Sequence, residues 1–112
     1  MNCVFCKIVN GELPCTKVYE NDDVLAFLDL TPQAPFHALV VPKVHIDSAA
    51  EITPDNSAVV AGIYEAIAVI AREQHLNNGF RVITNCGADA GQTVRHLHFH
   101  ILGGEKLALR LG

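Results

Sequence analysis

The clearest periodicity in the chain is HLHFHIL, residues 96–102, where polar and apolar positions alternate. Successive strand side chains point to opposite faces, so His96, His98 and His100 share one face and Leu97, Phe99 and Ile101 the other. The apolar face supplies core, and the histidine face is left for chemistry. Upstream, three runs, TKVYE (16–20), DVLAFLDL (23–30) and FHALVVPK (36–43), are bounded by Asn21, Asp22, Thr31, Pro32 and Pro35. They predict three strands, antiparallel because their connections are short. A short apolar turn, CVFCKIVNG, precedes them. From Thr53 the period changes to that of a helix. Thr53 is placed to cap it, Pro54 to occupy its first turn, and Asn77, Asn78 and Gly79 to stop it after Leu76. Val59, Ile63, Ile67 and Ile70 form its apolar stripe. Val60, Tyr64 and Ala68 widen the stripe, which fits either deep burial or a subunit interface. GFRVITN (79–85) predicts a fourth strand, CGADAGQTV (86–94) a loop, and RHLHFHILGG (95–104) a fifth strand. One long helix against an antiparallel sheet predicts an α+β fold in a single domain, residues 1–112.

Composition narrows the functional classes. Half of the residues are apolar and 18% are charged, which argues for a packed core rather than disorder. No apolar run is long enough to span a bilayer, and the N-terminus carries no secretory pattern. The expectation is a cytoplasmic protein with no membrane partner. A net charge of −4 without a Lys/Arg cluster argues against a nucleic acid polymer as partner. Cys3, Cys6, Cys15 and Cys86 do not read as a disulfide framework.

Three alternate histidines reach too far along a strand to meet on one phosphate, so they divide the labour. A neutral imidazole is a competent nucleophile, which suits transfer through a covalent phosphoryl-histidine. The glycine-containing loop ahead of them offers backbone N–H groups, with Gln92 and Thr93 as further donors, and it lacks a Walker ending. Asp29 ends an apolar strand and can either accept bonds from ribose hydroxyls or cap the next turn. Cys3 and Cys6 have chelating spacing, and His45 and His96 are candidate partners at long range. His37 interrupts an otherwise apolar strand. An H-x-H pair such as His96/His98 could alternatively chelate a catalytic ion.

HLHFHIL matches the H-φ-H-φ-H-φ-φ pattern (φ, apolar) of the histidine triad (HIT) family. The resemblance extends from CVFCKIVNGELP through VLAFLDLTPQAPFHALVVPKVHI to AGQTVRHLHFHILGG, and is nearest to the nucleotide-binding branch. It implies a five-stranded antiparallel sheet with one long and one short helix, and sheets joined across a homodimer into ten strands. It implies a nucleotidyl hydrolase acting on purine nucleoside 5′-phosphoramidates, or on aminoacyl-adenylates, with His98 as nucleophile. His100 and the loop residues Gly91, Gln92 and Thr93 would contact phosphate, with Asn85 nearby. Asp29 and Leu30 would meet ribose and nucleoside, Phe5, Ile8 and Phe27 would wall the base, and His37 would join a proton relay. No cofactor is implied for the chemistry. A structural zinc is implied at Cys3, Cys6, His45 and His96, which competes with a relay role for His96. The chain departs from the branch at its end, EKLALRLG, which lacks tryptophan. Dinucleoside polyphosphate hydrolysis, and non-catalytic purine nucleotide binding as a scaffold, are the other readings.

Overall fold

A computed structural model describes residues 3–110. The elements are α1 (Val4–Val9), β1 (Lys17–Glu20), β2 (Val24–Leu28), β3 (Phe36–Pro42), α2 (Ser57–Glu73), β4 (Phe80–Ile83) and β5 (Phe99–Gly103), with 3-10 turns at Ala49–Glu51 and Ala88–Ala90. The strands form one antiparallel sheet in the order β1-β2-β3-β5-β4. β3 and β5, distant in sequence, are therefore central neighbours, with His37 opposite Leu102 and Leu39 opposite His100.

Both faces of the sheet are covered, which explains why β2 is apolar throughout and β3 apolar except at His37, instead of alternating. On one face α2 packs Ile63, Ala66, Ile67 and Ile70 against Val24, Ala26, Val40, Phe99 and Ile101. On the other, Phe5 of α1 packs with Leu25, Phe27, Leu39 and Val41. His37 shares a parity with Leu39 and Val41, and Asp29 with Leu25 and Phe27. Both therefore fall on the α1 face.

Four boundaries differ from expectation. α2 begins at Ser57 rather than at Thr53. Thr53, Pro54 and Asp55 form a preceding turn in which Asn56 Oδ1 accepts from the Thr53 amide at 2.7 Å. With its side chain engaged there, Asn56 leaves the helix without a side-chain cap. The helix ends at Glu73, before Leu76, because His75 takes a left-handed backbone, φ 57°. The Leu76 amide then reaches the Ala71 carbonyl at 2.9 Å and the His75 amide the Arg72 carbonyl at 3.2 Å, the paired closure of a Schellman motif. His75 thus does the work expected of Asn77, Asn78 and Gly79. The N-terminal turn is a short helix whose N-cap is Cys3. Finally, β5 is paired only from Phe99, so His96 and His98 precede the ladder. The alternation survives: Leu97, Phe99 and Ile101 all enter the α2 core. What holds the unpaired stretch is the neighbouring 44–48 segment, whose Ile46 carbonyl accepts from the Leu97 amide at 2.6 Å.

Candidate functional site

That last bond brings His45 beside His96. Cys3 is the N-cap of α1 and Cys6 lies on its first turn, so both thiols face the same point. Cys6 Sγ is 3.2 Å from His45 Nδ1 and 3.5 Å from His96 Nδ1, and Cys3 Sγ is 3.4 Å from His96 Nδ1. All four ligand atoms lie within 4.8 Å of one another. Tetrahedral zinc, with bonds of about 2.3 Å to sulfur and about 2.0 Å to nitrogen, requires separations of this size. The distal nitrogens are also satisfied. His45 Nε2 donates to Asp47 Oδ1 at 2.7 Å and His96 Nε2 donates to the Pro42 carbonyl at 2.8 Å. Each bond puts the ring proton on Nε2 and leaves Nδ1 with a lone pair aimed at the cluster, the usual arrangement behind a metal-bound imidazole. The residues therefore fit a metal ion. Burial, with Cys3 beside it, pushes the Cys6 thiol up, and burial pushes His96 down.

The second group of histidines has a different logic. His98 Nδ1 donates to the His96 carbonyl at 2.7 Å, so its Nε2 is the nitrogen with the available lone pair. The carbonyl of His98 in turn accepts from Thr84 Oγ1 at 2.8 Å. The His100 ring lies 5.3 Å from that of His98, centroid to centroid. The Gln33 amide donates to His37 Nδ1 at 3.0 Å, which places the His37 proton on Nε2. His37 Nε2 then donates to His100 Nδ1 at 2.9 Å, and His100 must carry its own proton on Nε2. The result is a directed chain, Gln33 to His37 to His100, ending in a donor.

Asp29, His37 and His100 also bring ligand atoms within 4.8 Å of one another. Here the hydrogen bonds argue against an ion, because His37 Nε2 holds a proton where a ligand needs a lone pair. His96 and His98 do not form a chelating pair either. Their Nδ1 atoms go to the thiol cluster and to a backbone carbonyl respectively.

Asp29 caps the next turn, one of the two roles that the sequence left open. Its Oδ1 accepts from the Thr31 amide at 2.8 Å, capping the turn, and its Oδ2 faces His37 Nε2 at 3.5 Å. Beside it is a cavity of about 230 Å³ whose walls include Phe5, Ile8, Phe27, Leu39 and Leu30. Phe5, Ile8, Phe27, Asp29 and Leu30 are thus brought together. Leu30 stands at the rim, 98% exposed.

The loop residues are not gathered in the same way. Gln92 is engaged entirely within the protein: its Oε1 accepts from the Gly87 amide, its Nε2 donates to the carbonyls of Asp47 and Val94, and its own amide donates to the Gly87 carbonyl. It shapes the loop and has no donor left for phosphate. Thr93 lines a different cavity, of about 380 Å³, with Cys3, His45 and Arg95. Gly91 closes the 3-10 turn at φ 81°, a conformation that favours glycine. Asn85 is half-buried just after Thr84. Thr84, Gln33, Pro42 and Asp47 also hold the site and were not expected from the sequence. Only Asp47 carried a signal, an acid two residues from a candidate ligand. The others act through a strand-end hydroxyl or through backbone atoms, which have no residue signature.

Burial pushes His37 and His100 below the ordinary imidazole value of 6.5, while Asp29 opposes the shift; His98 and His37 add to it at His100. Folding therefore favours the neutral rings. This contribution to stability is complete above about pH 6.5 and is lost as the pH falls through the depressed folded values. We expect the urea midpoint to fall between pH 7 and pH 5, and His100→Asn to flatten that slope. An identical slope in the variant would contradict the assignment.

A family description, "HIT domain", matches residues 10–107. Protein HitA of Neisseria gonorrhoeae is 41% identical over 102 residues, covering 91% of this chain and 95% of that protein. A histidine triad protein from Clostridium difficile has a similar solved structure, with TM-score 0.96, 55% identity, and 99% of this chain and 97% of that one covered. A structure described as a HIT family hydrolase from Clostridium thermocellum has TM-score 0.96 and 45% identity, covering 98% of this chain and 96% of that one.

Proposed function

The chain belongs to the HIT domain family, and on that footing we propose that it is a nucleotidyl hydrolase of purine nucleoside 5′-phosphoramidates and aminoacyl-adenylates, acting through a nucleotidyl-His98 intermediate. The observation that carries this reading is the 2.7 Å bond from His98 Nδ1 to the His96 carbonyl. It selects the tautomer whose Nε2 can attack phosphorus. It also stabilises the cationic imidazole that results, as an oriented acceptor does for other catalytic histidines. In the first step Nε2 bonds to the α-phosphorus while either the P–N bond of an N-protonated phosphoramidate breaks and the neutral amine leaves, or the P–O bond of an aminoacyl-adenylate breaks and the amino-acid carboxylate leaves. Water then displaces His98 and releases the nucleoside monophosphate and a proton.

His100 Nε2–H is the donor for a phosphoryl oxygen, and His37 keeps it so by occupying Nδ1 of His100. His37 is a tautomer lock more than a conduit, since its far nitrogen meets the Gln33 N–H and no proton can pass beyond it. The purine lies in the apolar cavity between Phe5, Ile8 and Phe27, with its ribose at Asp29. Backbone at Gly91, together with Asn85, borders the phosphate end. Gln92 supports that loop, and Thr93 stands on its outer side.

Zinc is the metal suited to two thiolates and two imidazoles. With all four positions filled by protein, its contribution is structural. His96 accordingly serves as ligand through its ring, which removes it from any proton relay. The reading includes one domain over 1–112 and a homodimer with a continuous ten-stranded sheet. Supporting features are the edge position of β4, with Phe80 exposed, and the half-exposed Tyr64 on α2. No helix among the described residues is long and apolar enough to cross a membrane, consistent with a cytoplasmic enzyme.

The test is intact mass spectrometry after acid-free quenching with adenosine phosphoramidate. The expected result is a mass increase of one adenylyl group on the native chain. Tight AMP binding with neither adduct nor turnover would leave a non-catalytic nucleotide binder instead. Turnover confined to dinucleoside polyphosphates would move the substrate class.

A further inference from the structure

We infer that Phe5 and the backbone carbonyl of His96 form one positioning device for His98, and that the Cys3–Cys6–His45–His96 cluster holds both in place. The inference rests on His98 being the nucleophile.

Two contacts define the His98 ring. The His96 carbonyl accepts from Nδ1 at 2.7 Å and so sets which nitrogen faces outward. Phe5 meets the ring edge-to-face, with centroids 5.0 Å apart and planes at 88°, and so resists tilting about that hydrogen bond. Neither contact alone aims the Nε2 lone pair. Together they restrain it in two directions.

Both contacts arise from the cluster. The carbonyl belongs to His96, whose ring lies among the thiols and is tied on its far side to Pro42. Phe5 lies between Cys3 and Cys6 in a helix of six residues, too short to be stable unless its flanks are anchored. The same phenyl ring touches His96 at 6.0 Å and Phe27 at 5.6 Å, so it also spans from the cluster to the nucleoside cavity. Metal ligation by Cys3 and Cys6 therefore acts on the nucleophile through a packed ring, and ligation by His96 through a peptide carbonyl.

Phe5 has a second face as cavity wall, and the two roles separate experimentally. A wall alone affects substrate affinity; a positioning residue affects the chemical step and the resting His98 ring. The test compares zinc-loaded native protein with zinc-loaded Phe5→Leu by nitrogen–proton correlation NMR of the imidazoles, without substrate and at mildly alkaline pH. Native His98 is expected to show one tautomer, protonated at Nδ1, and Phe5→Leu an averaged signature. In steady-state assays Phe5→Leu should lower kcat by about 10- to 100-fold, the scale of a small misalignment at a reacting atom, with a smaller change in KM. Phe5→Tyr, which keeps the ring edge, should restore the His98 signature. An unchanged signature with only KM raised would overturn the inference. So would zinc-stripped protein that stays folded by circular dichroism with the native His98 signature. Failure of the nucleophile assignment would show separately, as an absent adenylyl adduct on the native chain.

Discussion

Replacing His98 with alanine should remove the adenylyl adduct and lower turnover of adenosine phosphoramidate by roughly 10⁴-fold or more, the scale seen when a covalent nucleophile is deleted. The ring has no substitute nearby. His96 directs its Nδ1 to the thiol cluster and its Nε2 to the Pro42 carbonyl. His100 presents a donor, because His37 occupies its Nδ1. The fold should survive. The truncated side chain releases the His96 carbonyl and one edge of Phe5, while Leu97 and Phe99 on the opposite face keep their places in the α2 core. Circular dichroism should match the native protein. A residual rate within tenfold of native would show that another atom attacks phosphorus.

The second large effect concerns stability. Cys3 and Cys6 come from α1, His45 from the segment after β3, and His96 from the stretch before β5. An ion bound there joins three segments, two of which lack regular hydrogen bonding. Because the unfolded chain cannot assemble this geometry, binding energy becomes folding energy. At zinc concentrations a thousandfold above Kd, linkage corresponds to about 4 kcal/mol relative to chelator-treated protein. We expect a correspondingly lower urea midpoint in EDTA, one zinc per chain by native mass, and no EDTA effect on Cys3→Ser/Cys6→Ser. Equal midpoints with and without EDTA, and no zinc in the native mass, would remove the cluster from the metal sites.

How much of this was readable beforehand depends on where each determinant resides. Alternation in HLHFHIL assigned Leu97, Phe99 and Ile101 to the core, because face selection depends on parity and not on ladder pairing. The same pattern misplaced the start of β5, since extended backbone and paired backbone look alike in sequence. For α2 the apolar stripe was correct and both ends were wrong. Asn56 was drawn into the preceding turn, and His75 adopted a left-handed backbone in a residue type that rarely advertises it. At the site, the C-x-x-C spacing and the alternate histidines were visible because they are side-chain patterns. The bonds that decide tautomers were not, since Pro42, His96 and Gln33 act through backbone atoms. Gln92 shows the converse. It is a polar residue beside a glycine, suited by type to phosphate, but tertiary contacts at Asp47 and Val94 claim it.

The alternation of residues 96–101 also limits how this chain can vary in length. Each residue there faces either the α2 core or the opposite, histidine-bearing side, so inserting or deleting one residue would exchange apolar core side chains with imidazoles. Substitution can be graded along such a segment, but a change in length cannot. Indels are accordingly excluded from this stretch, whereas the exposed 104–110 segment, with no regular secondary structure, can gain or lose residues without inverting a face.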